Sequence, residues 1–558
     1  DMTERIWLRE YPEGVPADID PSAYGSLVEL IEESFGKYAE RTAYRFMGHG
    51  VSYAETDQQS RALAAYLQGL GLARGDRVAL MMPNVPQYPA AVAAVLRAGL
   101  VVVNVNPLYT ARELEHQLVD SGAKAIIIIE NFAATLAQCI AKTPVQHVVL
   151  AAMGDRLGLL KGAIVNYVVR KVKKLVPAFS LPGAVRYNDA VARGRASAFS
   201  KPALGPDDIA VLQYTGGTTG VSKGAVLLHR NLIANVLQSE AWNDPVMKSI
   251  PAGEQSTSVC ALPLYHIFAF TVGMMLSMRT GGMLILIPNP RDLPSVLKDL
   301  SKETFHSFPA VNTLFNGLAH HPDFGTVNWK NLKVSVGGGM AVQSAVAKLW
   351  LEKTGCPICE GYGLSETSPS ATCNLVTSKT FTGTIGLPIP GTWIKILDDN
   401  GVEVPLGQPG EIAIKGPQVM AGYWQRPDET AKVMTADGYF KSGDIGIMDE
   451  RGYTKIVDRK KDMILVSGFN VYPNEIEDVV AAMPGVMEAA AVGVPDDKTG
   501  EAIKLVVVKK DPALTEEAVR AYCRENLTGY KRPHVIEFRA DLPKTPVGKV
   551  LRRELRDH

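Results

Sequence analysis

The sequence has no excess of either charge and very little cysteine. Its 558 residues carry 58 Lys and Arg against 58 Asp and Glu, so the formal net charge is +0. A balanced chain has no overall field to attract nucleic acid, and we expect no nucleic-acid partner. Six cysteines in so long a chain do not make a disulfide framework and fit a reducing compartment. We therefore expect a cytoplasmic protein.

Long uninterrupted hydrophobic runs are also missing, although 46% of the residues are hydrophobic. The apolar stretch 88–105 is interrupted by Arg97, and the stretch 261–278 contains Pro263. Both fall short of the roughly 20 apolar residues that a membrane-spanning helix needs. We expect them to be buried helix and strand.

The chain is too long for one hydrophobic core, and its pattern changes twice along its length. From about residue 50 to 400, short β-rich runs alternate with helical patterns, which favours α/β layers with strands covered on both faces. Around 383–457, short strands separated by Gly, Pro and Asp turns predict a small β subdomain. The residues after the charged run 458–462 predict a small α+β domain. The strands predicted for the first part include 78–82, 101–105, 125–129, 148–151 and 283–287.

The segment 156–188 contains no acidic residue, and it combines a basic cluster with apolar residues at helical spacing. The basic residues are Lys161, Arg170, Lys171, Lys173 and Lys174, and the apolar ones are Ile164, Val168, Val172 and Leu175. An amphipathic basic helix of this kind can lie on an anionic membrane surface. It can equally be a solvated helix that packs on the domain core, and both interpretations stay open.

Residues 214–224 form a loop rich in glycine and threonine, Tyr-Thr-Gly-Gly-Thr-Thr-Gly-Val-Ser-Lys-Gly, between two strand-like runs. Its glycines let backbone N–H groups approach an anion, and Lys223 adds a positive charge. The order of residues is not that of a Walker A loop, in which Ser or Thr follows the lysine. Taken alone, the loop is either a polyphosphate site or an ordinary Gly/Thr turn.

Further motifs follow this loop in a fixed order. They are GYGLSE at 361–366, SGD at 442–444, DRKKD at 458–462 and PVGK at 546–549. Together with the loop, they resemble the adenylate-forming superfamily of acyl-CoA synthetases, adenylation domains and luciferases, over essentially the whole chain. The runs that begin at Asn104, Ala261 and Asp462 are similar to those of the bacterial long-chain fatty-acid–CoA ligases of β-oxidation.

The resemblance implies a two-step reaction. A fatty acid would be activated with ATP and Mg²⁺ to an acyl-adenylate with loss of pyrophosphate, and the thiol of coenzyme A would then take the acyl group. The implied fold is α/β, with a large N-terminal adenylation domain over 1–458 and a small mobile C-terminal domain over 459–558. Two alternatives stay open: an acyl-AMP ligase that serves a carrier protein, and a non-catalytic fatty-acid-binding relative. A homodimer also stays open.

The resemblance also assigns roles to single residues. Lys549 would bridge the carboxylate and the α-phosphate, and Glu366 would hold Mg²⁺ with the hydroxyl of Thr218. His266 would position or shield the reacting carboxylate, although a lone histidine in an apolar stretch is more often a core residue. Lys461 would be the hinge of the small domain, and Gly468 would lie on the face used for the thiol step.

The remaining implied residues bind ATP. Tyr362 would stack on adenine, and Asp444 and Arg459 would hold the ribose. The others are Tyr214, Thr215, Gly216, Gly217, Thr218, Thr219, Gly220, Lys223, Gly338, Gly339, Gly363 and Ser365. The apolar run 267–275 offers the walls of an acyl tunnel, but an ordinary buried helix has the same composition.

Overall fold

A computed structural model describes residues 5–215, 222–339, 341–527, 529–545 and 548–556. Its strands, in chain order, are β1 (Thr42–Phe46), β2 (His49–Ser52), β3 (Arg77–Met81), β4 (Val101–Asn104), β5 (Ala125–Ile129), β6 (His147–Ala151), β7 (Val185–Arg186), β8 (Ile209–Tyr214), β9 (Gly224–Leu228), β10 (Thr257–Cys260), β11 (Met283–Leu286), β12 (Ser307–Ala310), β13 (Val334–Gly337), β14 (Ile358–Gly363), β15 (Ser370–Cys373), β16 (Leu387–Pro388), β17 (Trp393–Leu397), β18 (Gly410–Lys415), β19 (Gly422–Tyr423), β20 (Phe440–Met448), β21 (Thr454–Arg459), β22 (Ile464–Val466), β23 (Phe469–Val471), β24 (Val486–Asp496), β25 (Gly500–Lys509) and β26 (Val535–Arg539).

The α-helices lie between and around these strands. They are α1 (Leu27–Lys37), α2 (Tyr53–Gln68), α3 (Gln87–Arg97), α4 (Ala111–Ser121), α5 (Ala133–Cys139), α6 (Leu159–Tyr167), α7 (Tyr187–Arg195), α8 (His229–Met247), α9 (Leu276–Thr280), α10 (Leu293–Leu300), α11 (Asn312–Ala319), α12 (Ser344–Thr354), α13 (Pro427–Val433), α14 (Pro473–Ala481), α15 (Glu516–Asn526) and α16 (Arg553–Arg556).

Two large mixed sheets form most of the structure. One has nine strands in the order β16-β15-β14-β13-β12-β10-β11-β1-β2, and the other has eight in the order β19-β9-β8-β4-β3-β5-β6-β7. The central strands of both sheets are parallel, because helices connect them on the faces. The all-apolar strand β5 shows why both faces need cover: Ile127 and Ile129 pack in one buried cluster, whereas Ile126 and Ile128 pack in another.

Two smaller sheets follow. The first is an antiparallel sheet in the order β17-β18-β20-β21, and the second has the order β23-β22-β25-β24 with β26 added beside β25. Helices α14 and α15 contribute Ile476, Val480 and Val519 to the separate core of the second sheet. The predicted α/β fold class is thus confirmed, with its β subdomain and its small α+β part. The boundary at 458/459 stays a prediction.

The predicted strands correspond to β3, β4, β5, β6 and β11, each within one residue at either end. The stretch 88–105 forms most of α3 together with β4, as expected for buried helix and strand. Among the described residues there is no helix long and apolar enough to cross a membrane.

The basic segment is helical over its first half, from Leu159 to Val172. Helix α6 ends at Tyr167, a π-turn covers Val168–Val172, and Lys174 has a φ of 50°. Arg170, which is partly exposed, forms an ion pair at 2.6 Å with the buried carboxylate of Glu130 and so attaches the segment to the domain. The predicted helix is therefore present through Val172, with its last turn wound as a π-helix.

Candidate active site

The two ends of the loop 214–224 are held together by the strands that flank it. Strands β8 and β9 pair in antiparallel fashion down to Tyr214 and Gly224. Above this pair, the N–H of Thr215 donates to the carbonyl of Lys223 at 2.9 Å, and the N–H of Lys223 donates to Thr215 Oγ1 at 3.3 Å. The predicted phosphate-binding residues Gly216, Gly217, Thr218, Thr219 and Gly220 lie outside the described residues.

Asp120 anchors the base of this loop. Its carboxylate accepts a hydrogen bond of 2.6 Å from the Tyr214 hydroxyl and one of 2.7 Å from Arg426 Nη2. Trp424 adds a backbone bond of 2.7 Å to the carbonyl of Gly224. A single carboxylate at the end of α4 thus positions the first residue of the loop. The sequence carries no signal for this role, because nothing in the spacing links position 120 to positions 214 and 426.

Lys223 is the cation of the loop that the structure describes. Its Nζ lies 4.7 Å from the centre of the Tyr423 ring and 3.4 Å from Glu429 Oε2. Both partners belong to the segment that contains β19 and α13. The ammonium is therefore placed beside the loop by an aromatic face and an exposed carboxylate.

Glu366 lies in the short helical turn that follows β14 and is buried. Its Oε2 accepts a 2.7 Å hydrogen bond from the Tyr423 hydroxyl, and burial raises the pKa of its carboxyl. A buried carboxylate that is costly to ionise alone gains most from a cation beside it. One carboxylate suits Mg²⁺, which keeps water and phosphate oxygens as its other ligands. Glu366 thus fits the expected metal, and the other predicted ligand, Thr218, lies outside the described residues.

The turn that carries Glu366 depends on close backbone contact. A Cβ at Gly363 would lie 2.0 Å from the carbonyl oxygen of Pro369, so only glycine fits at this position. Ser365 begins the turn, directly before Glu366. The motif 361–366 therefore acts as a compact unit that holds a tyrosine, a serine and a carboxylate on one edge of the sheet.

Asp444 joins two residues of different motifs. Its Oδ2 accepts a 2.5 Å hydrogen bond from the Tyr362 hydroxyl, and its Oδ1 accepts one of 3.2 Å from Arg459 Nε. Asp444 and Arg459 are direct partners in the register of β20 and β21. The three residues predicted to hold the nucleoside thus meet, on the edge where the nine-stranded sheet faces the small one.

The predicted glycine turn lies next to these residues. A Cβ at Gly338 would lie 2.1 Å from the Phe268 ring, so the backbone of the turn packs directly on that aromatic side chain. Gly339 has a φ of +83°, and a Cβ there would lie 3.6 Å from Lys549 Cε. This contact places the lysine of the C-terminal motif at the edge of the large domain that carries the residues predicted to bind the nucleotide, which we call the nucleotide edge.

Lys549 belongs to a loop that closes on itself and docks on α11. The N–H of Thr545 donates to the carbonyl of Lys549 at 2.7 Å, and the N–H of Lys549 donates to Thr545 Oγ1 at 3.1 Å. Thr313 Oγ1 donates to the carbonyl of Gly548 at 3.3 Å. A Cβ at Gly548 would lie 2.6 Å from Thr313 Oγ1, so glycine permits the close approach.

The pKa of Lys549 shows which charged residues surround its ammonium group. Its pKa is lowered to about 8, chiefly by burial and then by the positive charge of Arg459. The carboxylates of Asp444 and Glu366 act in the opposite direction, and Lys461 lowers the pKa further. Residues from three other motifs therefore lie within electrostatic reach of this ammonium group.

His266 lies within electrostatic reach of the ammonium group of Lys549. Its pKa is lowered to about 3, chiefly by burial and then by the positive charge of Lys549. The N–H of Phe268 donates to His266 Nδ1 at 3.3 Å, so Nδ1 acts as the acceptor. The imidazole is therefore neutral at physiological pH. It lies just before the π-helix Ala269–Met275, in which Phe270, Met274 and Met275 are buried.

Of the two residues predicted for the hinge and the thiol step, only Lys461 is near the site. It is exposed in the turn Lys460–Asp462, within electrostatic reach of Lys549. Gly468 lies in the turn between β22 and β23 with a φ of +85°, and a Cβ there would meet no described atom within 4 Å. Gly468 therefore has open surroundings and meets none of the other predicted residues that the structure describes.

Comparison with known proteins agrees with this geometry. A family model described as AMP-binding enzyme matches residues 31–424, and a model of the AMP-binding enzyme C-terminal domain matches residues 475–549. The chain belongs to the AMP-binding enzyme family. The long-chain-fatty-acid--CoA ligase of Escherichia coli O6:H1 (strain CFT073) is 54% identical over 555 residues, which cover 99% of this chain and 98% of that protein.

Other members of the family are also similar over their full length. A long-chain-fatty-acid--CoA ligase of Haemophilus influenzae is 50% identical over 558 residues, covering 99% of this chain and 98% of that protein. The crystal structure of ATP-bound MatB from Rhodopseudomonas palustris matches with a TM-score of 0.78 at 29% identity. The match covers 95% of this chain and 98% of that one. The chain is therefore an adenylate-forming enzyme in fold and family.

Proposed function

We propose that this chain is an ATP-dependent, AMP-forming long-chain fatty-acid–CoA ligase. The carboxylate of a fatty acid attacks the α-phosphate of ATP, which gives the acyl-adenylate and pyrophosphate. The thiol of coenzyme A then attacks the acyl carbon, which gives acyl-CoA and AMP. The observation that carries the proposal is the docked Lys549 loop, which lies beside Asp444, Arg459 and Glu366.

Lys549 assists the first step. The carboxylate and the α-phosphate are both anionic and repel each other, so their approach needs a cation between them. The lowered pKa of Lys549 indicates an ammonium that is short of compensating negative charge. The two anionic substrates supply that charge, and the lysine gains most when both are present.

Glu366 and the hydroxyl of Thr218 are the residues we assign to Mg²⁺, which neutralises the phosphates when it is bound. Tyr362 offers its ring to adenine, and Asp444 offers carboxylate oxygens to the ribose hydroxyls. The five loop residues outside the described part, with Thr215 and Lys223, are assigned to the departing pyrophosphate.

His266 is assigned to the fatty-acid carboxylate. A neutral imidazole next to the ammonium of Lys549 can donate a hydrogen bond to the carboxylate without adding a competing positive charge. The buried apolar residues that follow it, Phe270, Met274 and Met275, provide the wall along which an alkyl chain would lie. Each buried CH₂ adds about 0.8 kcal/mol, so a long chain gains most.

The second step requires another arrangement of the domain 459–558. We assign the rotation to the exposed turn at Lys461, and the presentation of a new face to the region around Gly468. This assignment is supported by the position of Gly468, which contributes nothing to the described site in the present arrangement. Domain closures of this kind commonly separate two half-reactions.

Pyrophosphate release, measured with carboxylic acids of increasing chain length and with or without coenzyme A, tests the proposal. We expect release with long-chain acids, and acyl-CoA only when the thiol is present. Acyl transfer to a carrier protein but not to coenzyme A would favour an acyl-AMP ligase. A lack of pyrophosphate exchange with every acid would instead indicate a non-catalytic fatty-acid-binding relative.

A peripheral contact with anionic membrane is the second part of the proposal. Leu159 is 96% exposed and Leu160 is 77% exposed, and Ile164, Tyr167 and Val172 are exposed beside them. We call these five residues the apolar patch. Lys171, Lys173 and Lys174 are exposed at its end. An apolar surface bordered by lysines fits an interface with anionic lipid.

Vesicle flotation separates the contribution of the lysines from that of the apolar patch. We expect binding to phosphatidylserine-containing vesicles, weaker binding to pure phosphatidylcholine, and reduced binding after Lys171, Lys173 and Lys174 are changed to Gln. Leu159→Ser with Leu160→Ser should abolish binding. The matched control is Val402→Ser with Leu406→Ser, which removes exposed apolar residues elsewhere. Equal flotation of all variants would exclude the patch as a membrane contact.

A further inference from the structure

Asp458 connects the two sides of the predicted hinge. It lies in β21, opposite Ile445 of β20, so its backbone belongs to the small antiparallel sheet. Its side chain is buried and points toward the C-terminal part, where Oδ2 accepts a 2.8 Å hydrogen bond from the N–H of Asn474. Asn474 lies in the first turn of α14, a helix whose preceding residue, Tyr472, forms no side-chain cap within the described structure. Asp458 thus caps a helix on the other side of the hinge.

Arg552 contacts the same carboxylate. Its Nη1 lies 3.4 Å from Asp458 Oδ1 and 3.1 Å from Asp462 Oδ2. Its Nη2 donates to Asn474 Oδ1 at 2.9 Å and to Glu477 Oε1 at 2.6 Å. One mostly buried guanidinium therefore holds three carboxylates and an amide at the point where the chain passes between the two parts.

These contacts divide into two sets if the chain rotates at Lys461. Asp462, Asn474 and Glu477 follow Lys461 in sequence and move together with Arg552. Asp458 precedes it and stays with β20. Of these contacts, rotation therefore breaks the bonds from Asp458 to Asn474 and Arg552, which we call the cross-hinge contact. Arg552 keeps Asp462 and Glu477 afterwards, so no buried cation is left without a partner.

Arg552 is also close in sequence to Lys549. Only two residues separate them, and the loop that carries Lys549 is closed by a bridge between Lys544 and Val550 and by the hydrogen bonds between Thr545 and Lys549. A displacement of Arg552 from Asp458 therefore displaces the ammonium of Lys549 from the nucleotide edge. The cross-hinge contact and the docking of Lys549 form or break together.

We infer that Asp458 is a positioning residue that, through Asn474 and Arg552, holds the small domain in the arrangement for acyl-adenylate formation. The inference rests on the two-step reaction proposed above. Asp458 itself makes no contact with substrate. The residue raises the population of the arrangement for acyl-adenylate formation, and so affects that half-reaction more than the thiol step.

Asp458→Asn keeps the shape of the side chain and removes its charge. Loss of one charge-assisted contact should slow pyrophosphate release by about tenfold. Formation of acyl-CoA from synthetic acyl-adenylate should stay unchanged or become faster. The matched control is Asp462→Asn, which removes a contact of Arg552 that does not cross the hinge. In this control, the ratio of pyrophosphate release to acyl-CoA formation should equal that of the unmodified enzyme. Equal losses in both half-reactions of Asp458→Asn would show a merely structural role and overturn the inference.

A second measurement needs no substrate. The N–H of Ser344 donates to Asp478 Oδ1 at 2.8 Å across the two parts, so Ser344→Cys with Asp478→Cys reports the present arrangement by disulfide formation. Asp458→Asn in this background should lower the cross-linked fraction, and Asp462→Asn should not. Equal cross-linking in all three proteins would overturn the inference, even if ligase activity is established. If no acid supports pyrophosphate release, the proposed function fails while the cross-link still decides the role of Asp458.

Discussion

The Tyr362 hydroxyl donates a 2.5 Å hydrogen bond to Asp444 Oδ2, and this bond joins the motif at 361–366 to the motif at 442–444. Arg459 holds the other oxygen of the same carboxylate. The group that we assign to the ribose is therefore oriented by two donors before any nucleotide is present. Such preorganisation reduces the ordering that binding has to impose.

Tyr362→Phe tests this arrangement, because it removes the hydroxyl and keeps the ring for stacking. Loss of one hydrogen bond to a charged group should raise KM for ATP by roughly tenfold, with a smaller change in kcat. The measurement is steady-state kinetics with ATP varied at saturating fatty acid. Tyr522→Phe is the matched control, since its hydroxyl donates to the carbonyl of Val479 in the C-terminal part. An unchanged KM for ATP in Tyr362→Phe would contradict the proposed role.

The α/β architecture could be predicted from sequence because its strands are unusually apolar. In β5 every residue is buried, so a run of Ala and Ile has no other stable position than inside a covered sheet. The residues that we assign to the nucleotide could be proposed from sequence, because each lies in a motif with a recognisable order. The structure then brings Tyr362, Asp444 and Arg459 into direct contact.

Other features depend on tertiary contacts that no local pattern records. Asp120 is one polar residue in an ordinary amphipathic helix until the fold brings Tyr214 and Arg426 to it. The segment 156–188 predicts an amphipathic helix, but its pattern does not show that the last turn, Val168–Val172, is a π-helix in which Val169 is buried and Arg170 pairs with Glu130. In both cases the deciding partner lies far away in sequence.

Asp120→Asn should weaken ATP binding although Asp120 touches no residue that we assign to the nucleotide other than Tyr214. The substitution removes the charge that pairs with Arg426 and leaves that guanidinium partly buried without its carboxylate. We expect KM for ATP to rise several-fold and thermal stability to fall. Asp207→Asn is the control, because Asp207 pairs with Arg230 on the exposed surface and contributes little. Equal KM values in the two variants would show that the anchor is not needed.

The pH dependence of the first half-reaction should report Lys549. Its pKa lies at about 8 rather than near the usual 10.4, so the ammonium is lost as pH rises through 8 in the free enzyme. We therefore expect kcat/KM for adenylate formation to fall above about pH 8. His266 does not contribute there, since its pKa of about 3 keeps it neutral over the whole range.

Lys549→Arg provides the comparison for this profile, because a guanidinium remains charged at alkaline pH. The variant should be slower throughout and should lose the alkaline decline. Acyl-CoA formation from synthetic acyl-adenylate should show no such decline in either protein. An identical alkaline decline in Lys549→Arg would assign the titration to a different group.

Gly468 provides the sharpest test of the second arrangement. A side chain at this position meets no described atom in the present structure, so Gly468→Asn should leave pyrophosphate release close to that of the unmodified enzyme. Asn is chosen because it tolerates positive φ better than other residues that carry a Cβ. If Gly468 faces the active site during the thiol step, the added side chain should slow acyl-CoA formation strongly. Gly407→Asn is the control for backbone strain, since Gly407 has a φ of +86° and equally open surroundings. Normal acyl-CoA formation in Gly468→Asn would place the thiol on another surface of the small domain.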